Sequence, residues 1–246
     1  MVDGAAIKKY FAPFPKWAVW MIVLGVPLLF AKGLGILFIA LGVYGLVRYF
    51  QKASDAQVDA WIEESLKKLQ TQALNKIGTD PTDLVNPDGG AVVITGLVGD
   101  VAWPQGTFIG YRTGKDKVFR FSPLDVTIVN FTRDQLLVYQ CALDLTTGNA
   151  LSEKTDEYFY RDVVSVSTVT ESANVRVSAK KVVQAKAAET FKLTTSGGTS
   201  VKVTLSDPEV LKEVGGGGTI PKTRSDKAIQ TVRKMLREKK ASPVSA

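Results

Sequence analysis

The chain of 246 residues contains no histidine. That absence removes Ser-His-Asp and Cys-His nucleophilic chemistry, His-ligated metals and a His-based pH switch. Cysteine is almost as scarce, with Cys141 alone. One thiol makes neither an internal disulfide nor a Cys-rich zinc site. Its setting in "LLVYQCAL" points to a buried core thiol rather than a nucleophile. A chain not built around disulfides suits a part facing a reducing cytoplasm. Phosphate-loop spacing is missing too. In "GGGGTIPKT" no glycine precedes the lysine at the required distance, so the segment reads as a linker. "GLVGD" (96–100) is a lone glycine pair and reads as a turn. Glu153, Asp156 and Glu157 lack a calcium-loop pattern and read as a solvated turn entering a strand. No catalytic, cofactor-binding or metal-binding residue is assigned.

Charge is present but uneven. Net charge is +7. Between Lys222 and Lys240 stand eight basic and two acidic residues, so the rest of the chain is almost neutral. An anion-binding surface is therefore expected in the tail. No aromatic interleaves these cations, which argues against nucleic acid.

What the sequence has in plenty is an apolar run, "WAVWMIVLGVPLLFAKGLGILFIALGVYGLV", from Trp17 to Val47. As one helix it would be about 46 Å long, against a hydrocarbon core of about 30 Å. "AKG" at its centre offers a turn. Two segments, Phe14–Ala31 and Gly33–Phe50, are each just long enough to span, so a transmembrane helical hairpin is expected. A second apolar stretch follows at once, which argues against a signal peptide. Pro27 shortens the first leg and keeps a monotopic hairpin open. Lys8, Lys9 and Lys16 precede the hairpin and Arg48 and Lys52 follow it, so the positive-inside rule places both termini in the cytoplasm. Trp17, Trp20, Tyr44 and Tyr49 are candidate interfacial aromatics. Gly25, Gly35, Gly42 and Gly45 would permit close helix contact.

Beyond the hairpin, Ser54–Gly78 predicts an amphipathic helix. Ser54 and Gln57 form a capping box, and Val58, Ile62, Leu66, Leu69, Ala73 and Ile77 form an apolar stripe. Its mixed-charge polar face favours packing on protein over anionic lipid. Short strands separated by turn signals follow: Ala91–Thr95, Thr107–Arg112, Lys117–Ser122, Val126–Thr132, Gln135–Asp144, Glu157–Thr170, Phe191–Thr195 and Val201–Leu205. "TTGNALSEKTD" reads as a turn, and 174–190 as a strand with an insertion. "DEYFYRDVVSVST" (156–168) reads as one strand whose alternation divides its aromatics between two faces. A short helical turn, a glycine run and a helix over Ser225–Lys240 close the chain. Ala228, Ile229, Val232, Met235 and Leu236 form that helix's apolar face. Such spacing predicts an antiparallel sandwich or barrel capped by a helix, the order of a PH-like domain.

"GKDKVFRFSPLDVTIVNFTRDQLLVYQCALDL", "DEYFYRDVVSVST" and "TIPKTRSDKAIQTVRKMLREKK" resemble segments of an uncharacterised bacterial membrane protein family with an N-terminal hydrophobic hairpin and a cytoplasmic PH-like domain. The resemblance covers roughly 90–240. It implies a fold and an inner-membrane address, and it carries no catalytic residues. Arg112, Lys115 and Lys117 in "YRTGKDKVF" lie where eukaryotic PH domains bind phosphoinositides, but Asp116 interrupts them, so no such site transfers. The expected organisation is a membrane anchor over 1–53, an amphipathic helix and linker over 54–89, and a PH-like β domain with a basic C-terminal helix over 90–246. The expected function is a non-enzymatic adaptor, scaffold or accessory subunit, anchored in the bacterial inner membrane and binding a protein partner or a second copy. The alternative is an anionic-lipid-responsive module in which Arg233, Lys234, Arg237, Lys239 and Lys240 contact membrane lipid. No cofactor and no small-molecule substrate are expected.

Overall fold

The computed structural model describes residues 3–30, 33–99, 104, 106–178, 181–206, 208–215, 219–220 and 222–241. The chain divides into two compact units, Asp3–Asp59 and Ala60–Ala246.

In the first unit, α1 (Gly4–Phe11) is capped by the Asp3 carboxylate, which accepts from the amides of Ala5 at 2.9 Å and Ala6 at 3.2 Å. Helices α2 (Lys16–Leu28) and α3 (Leu34–Phe50) form the expected antiparallel hairpin. The four glycines lie in its seam. A Cβ on Gly42 would stand 2.5 Å from the Ala18 carbonyl oxygen and 2.6 Å from Ile22 Cγ1. One on Gly45 would meet the Trp17 ring at 2.7 Å, and one on Gly25 would meet Ile39 Cγ1 at 2.7 Å. Gly35 abuts the Gly25 carbonyl in the same way. The legs pack backbone to backbone because nothing projects between them.

The legs are shorter than their apolar runs. Pro15 precedes α2 and Pro27 lies in its last turn, leaving 13 residues; α3 has 17. At 1.5 Å per residue they reach about 20 and 26 Å, against a core of about 30 Å. No single described helix is long and apolar enough to cross a membrane. Together α1 and α2 have the length and composition, but they are bent by 65° at their break. Ala31 and Lys32, the expected turn, lie outside the described residues.

Helix α4 (Asp55–Ile77) begins and ends as its caps predict. The Ser54 amide donates to Gln57 Oε1 at 2.8 Å, and the Gln57 amide donates to Ser54 Oγ at 3.2 Å. Gly78 follows at φ +78°. Val58, Leu66, Leu69 and Ala73 of the stripe are buried.

The second unit is mainly antiparallel β. Strands β1 (Val92–Gly96), β4 (Leu124–Phe131), β5 (Gln135–Asp144) and β6 (Asn149–Phe159) form one sheet in the order β1-β4-β5-β6. Strands β2 (Gly110–Thr113) and β3 (Phe119–Ser122) form a hairpin inserted after β1. Strands β7 (Val163–Ser178), β8 (Lys181–Thr195) and β9 (Ser200–Ser206) form a second sheet in the order β7-β8-β9. Two helices follow, α5 (Pro208–Gly215) and α6 (Lys222–Ala241).

Residues from both sheets and α6 share one core. Ile94, Phe131, Leu136, Phe191 and Val203 meet Ile229, Val232 and Leu236 there, with Ala228 and Met235 packed against them. The expected apolar face of the last helix is therefore the face it buries. A smaller cluster of Leu97, Phe119, Val175, Val183, Ala188 and Val210 lies under α5.

Four expectations are corrected. "DEYFYRDVVSVST" is not one strand. β6 ends at Phe159, Tyr160–Asp162 make a 3-10 turn, and β7 begins at Val163 in the other sheet. A polar tract with few apolar residues hides β6 in the sequence, so "NALSEKTD" belongs to a strand rather than a turn. "GLVGD" does not reverse the chain either. The Leu97 amide donates to the Thr204 carbonyl at 2.7 Å, and Gly99 bridges Val175, so the segment carries β1 onto the second sheet. A side chain on Gly96 would strike the Thr204 carbonyl and Val203 Cγ1, which explains glycine there. Residues 174–178 and 181–190 are the distal parts of β7 and β8, which pair with each other, with no insertion among the described residues.

Candidate functional site

The 3-10 turn that separates the sheets also sets up the most distinctive surface of the β domain. Tyr160 is buried in the turn, and its hydroxyl donates to the Thr132 carbonyl at 2.8 Å. Val163 is buried next to it, and β7 then bulges, with Val163 opposite Thr195 and Ser165 opposite Thr194. The bulge turns Val164 outward, where it is 59% exposed. β7 is an edge strand. Among the described residues nothing pairs with its outer edge before the Gly99 bridge at Val175. Helix α6 runs beside that edge, because its apolar face is committed to the core. A groove of about 280 Å³ results, lined by Val163–Val166 on one side and Arg233, Leu236, Arg237 and Lys240 on the other.

The five candidate basic residues thus fare differently. Arg233, Arg237 and Lys240 are brought together along the groove; Lys234 and Lys239 are not among its lining. Arg233 Nη2 donates to Thr168 Oγ1 at 3.0 Å, and Lys240 Nζ donates to the Val163 carbonyl. Lys239 Nζ donates to the Arg133 carbonyl at 3.4 Å and lies 5.8 Å from the Tyr160 ring centroid. Lys234 lies 3.8 Å from Glu238 on the solvent face. Three of the five cations therefore also hold α6 against the sheets.

Other expected features have structural uses. Cys141 is buried, and burial pushes its thiol up to about 12. Asp116 forms a two-point pair with Arg120, Oδ1 to Nη1 at 3.0 Å and Oδ2 to Nη2 at 2.6 Å. The hydrogen bonds from Arg120 hold the Asp116 carboxyl at about 2. The acid of "YRTGKDKVF" is thus committed to Arg120, the residue that follows the segment, whose side chain is only 3% exposed. Glu153, read as a solvated turn residue, instead sits in β6 and accepts from Tyr139 Oη at 2.6 Å, Gln72 Nε2 at 3.3 Å and Lys76 Nζ at 3.3 Å. It ties the end of α4 to the sheet. Arg161 and Asp162, neighbours in the 3-10 turn, lie 3.9 Å apart and well exposed, where such a pair contributes little. Among the described residues no three His, Cys, Asp or Glu side chains gather as a metal site.

The groove was missed in the sequence because it depends on the break at 160–162 and on a bulge. The only local signal is "DVVSVST", an apolar pair ahead of a polar alternation. No protein family, no curated protein and no solved structure matches the chain.

Proposed function

We propose that this chain is a non-enzymatic adaptor anchored in the bacterial inner membrane by its helical hairpin, with both termini cytoplasmic. The observation that carries the anchoring is the hairpin's exterior. Among the described residues, all but five of the exposed large apolar side chains lie between Phe14 and Phe50, with Phe30 at 92% and Trp20 at 64%. A surface of that kind is covered in the cell, and a bilayer covers it without a dedicated partner. The shortness of the legs suits a shallow seating as well as a thinned bilayer.

We read the β domain as PH-like. A four-strand meander holding one inserted hairpin, then a three-strand meander, then a helix entering the shared core, supports that reading. Its docking surface is the groove of β7 and α6. An open edge strand offers backbone hydrogen bonds, and three cations favour an extended acidic segment of a partner protein. The test places a photo-crosslinking residue at Val164 of the full chain in native membranes. The expected product is a discrete protein adduct that Arg237→Glu abolishes and that a probe at exposed Thr147 does not give. Lipid adducts alone, or an adduct indifferent to Arg237, refute the docking surface. The alternative, a lipid-responsive module working through the basic helix, has the helix's charge in its favour. It is the weaker reading because only three of its five cations gather, and Lys234 and Lys239 lie outside the groove's lining.

A further inference from the structure

A large concavity among the described residues lies at the foot of the hairpin, far in sequence from the basic helix. Its volume is about 1010 Å³. Helix α1, the 12–15 connection, the start of α2 and the end of α3 enclose it. Four cations line it, Lys9, Lys16, Arg48 and Lys52, against one acid, Asp3. Asp3 is already committed to capping α1. Lys52 closes the other end of that helix, donating to the carbonyls of Ala12 and Tyr10 and lying 3.8 Å from the Tyr49 ring centroid. These two contacts fix the wall of the cleft. Lys9, Lys16 and Arg48 give the cleft its net positive field.

A second concavity runs up the same helix. About 540 Å³ of almost wholly apolar groove is lined by Ile36, Ile39, Ala40, Val43, Tyr44 and Val47. It begins one turn from the cleft, because the Arg48 guanidinium lies 5.9 Å from the Tyr44 ring centroid. The cationic cleft has aromatic walls, Trp17 and Tyr49, and shares no lining residue with the apolar groove; Arg48, which lines the cleft and sits beside Tyr44 of the groove, is the link between them. A soluble anion would use the first part only. A molecule with a phosphate at one end and an acyl chain at the other uses both. Aromatics at headgroup level and cations on the cytoplasmic side match the same ligand.

We infer that the foot of the hairpin is a binding site for an anionic phospholipid, whose headgroup sits among Lys9, Lys16 and Arg48 and whose acyl chain follows the α3 groove. The inference rests on the hairpin being seated in a bilayer. It assigns lipid recognition to the anchor, and leaves the basic helix to the β domain.

The test uses the full chain in phosphatidylcholine bilayers with trace spin-labelled phosphatidylglycerol or phosphatidylcholine. The motionally restricted fraction of each lipid is compared by electron paramagnetic resonance. Each basic residue at the surface favours an anionic lipid about fivefold in the limit, so a selectivity of about fivefold or more is expected. Lys9→Gln with Lys16→Gln and Arg48→Gln should lower it to about twofold or less. Lys9→Arg with Lys16→Arg and Arg48→Lys should keep it, which separates lost charge from lost folding. Arg233→Gln with Arg237→Gln and Lys240→Gln should also keep it. Glycerol phosphate in excess should not displace the lipid. Equal affinity for both lipids, selectivity surviving the triple Gln change in the anchor, selectivity lost with the tail cations, or displacement by glycerol phosphate each overturns the site. A restricted fraction absent for both lipids overturns the membrane seating itself, and is a distinct result.

Discussion

Glu153 offers the sharpest check on how α4 is held to the β domain. Tyr139 is fully buried, and its hydroxyl donates to Glu153 at 2.6 Å. A hydrogen bond to a charged group contributes about 1.5–3 kcal/mol. The Lys76 contact is half-exposed, 53% on the lysine side, and adds at most about 0.5 kcal/mol. Glu153→Ala should therefore cost about 2–3 kcal/mol, part of it from leaving the tyrosine hydroxyl unpaired. At about 2–4 °C per kcal/mol for a unit of this size, Tm should fall by about 4–12 °C. Tyr139→Phe removes the donor and leaves the Glu153 carboxylate accepting from Gln72 and Lys76, so it should cost less. In a double-mutant cycle the two changes should couple by about 1 kcal/mol or more. The Tyr139 hydrogen bond, followed by Lys76, holds the Glu153 carboxyl below its ordinary value. Its contribution is therefore present above the unfolded value of about 4.3 and is lost as pH falls through the lower folded value. The assay is thermal denaturation of the full chain in non-ionic detergent, by near-ultraviolet circular dichroism at pH 7 and pH 3.5, with amide exchange over 66–77 as the local readout. Additive single changes at pH 7, or unchanged exchange in α4, would show that the tie is ornamental.

Gly42→Leu should force the hairpin legs apart, since its Cβ alone falls 2.5 Å from the Ala18 carbonyl oxygen, where about 3.5 Å is the ordinary separation. Exchange of peptides over α2 and α3 should rise in detergent, while Gly90→Ala, which meets nothing within 4 Å, should leave it unchanged. Desolvation of half-buried Asp125, which no charged group among the described residues offsets, pushes its carboxyl up to about 7. The folded state then holds a proton that the unfolded state has released, so stability should fall as pH rises from about 4 to 7. Asp125→Asn should remove that loss, by about 4 kcal/mol at pH 8 and by well under about 1 kcal/mol at pH 4. A flat difference between variant and parent across that range would refute it.

Much of the architecture was legible because its causes are local. Ser54 with Gln57 and Gly78 bound α4 through hydrogen bonds and backbone freedom that the sequence states outright. The 3.6-residue rhythm of Ile229, Val232 and Leu236 names the face that α6 buries. Four glycines in an apolar run mark a seam where helices touch. Strands were legible where burial on one or both faces leaves an apolar record, as in β4 and β5.

The rest depends on partners distant in the chain. β6 is polar along most of its length, so only its pairing with β5 makes it a strand. Gly96 looks like a turn until Thr204 is seen to occupy the space a side chain would need. Glu153 looks solvated until Tyr139 and α4 come to it. Both candidate sites are of this second kind. The β7–α6 groove needs a 3-10 break, a bulge and a helix from the end of the chain. The cleft at the hairpin's foot needs Lys9, Lys16 and Arg48 on three different helices. Composition and periodicity thus determined the apolar hairpin, the amphipathic helices and the antiparallel β class, because each follows from side chains acting within a few residues. Which cations share a pocket, which strand edge stays open and which carboxylate is buried were decided only by tertiary packing, since electrostatic and steric fields act through space and not along the chain.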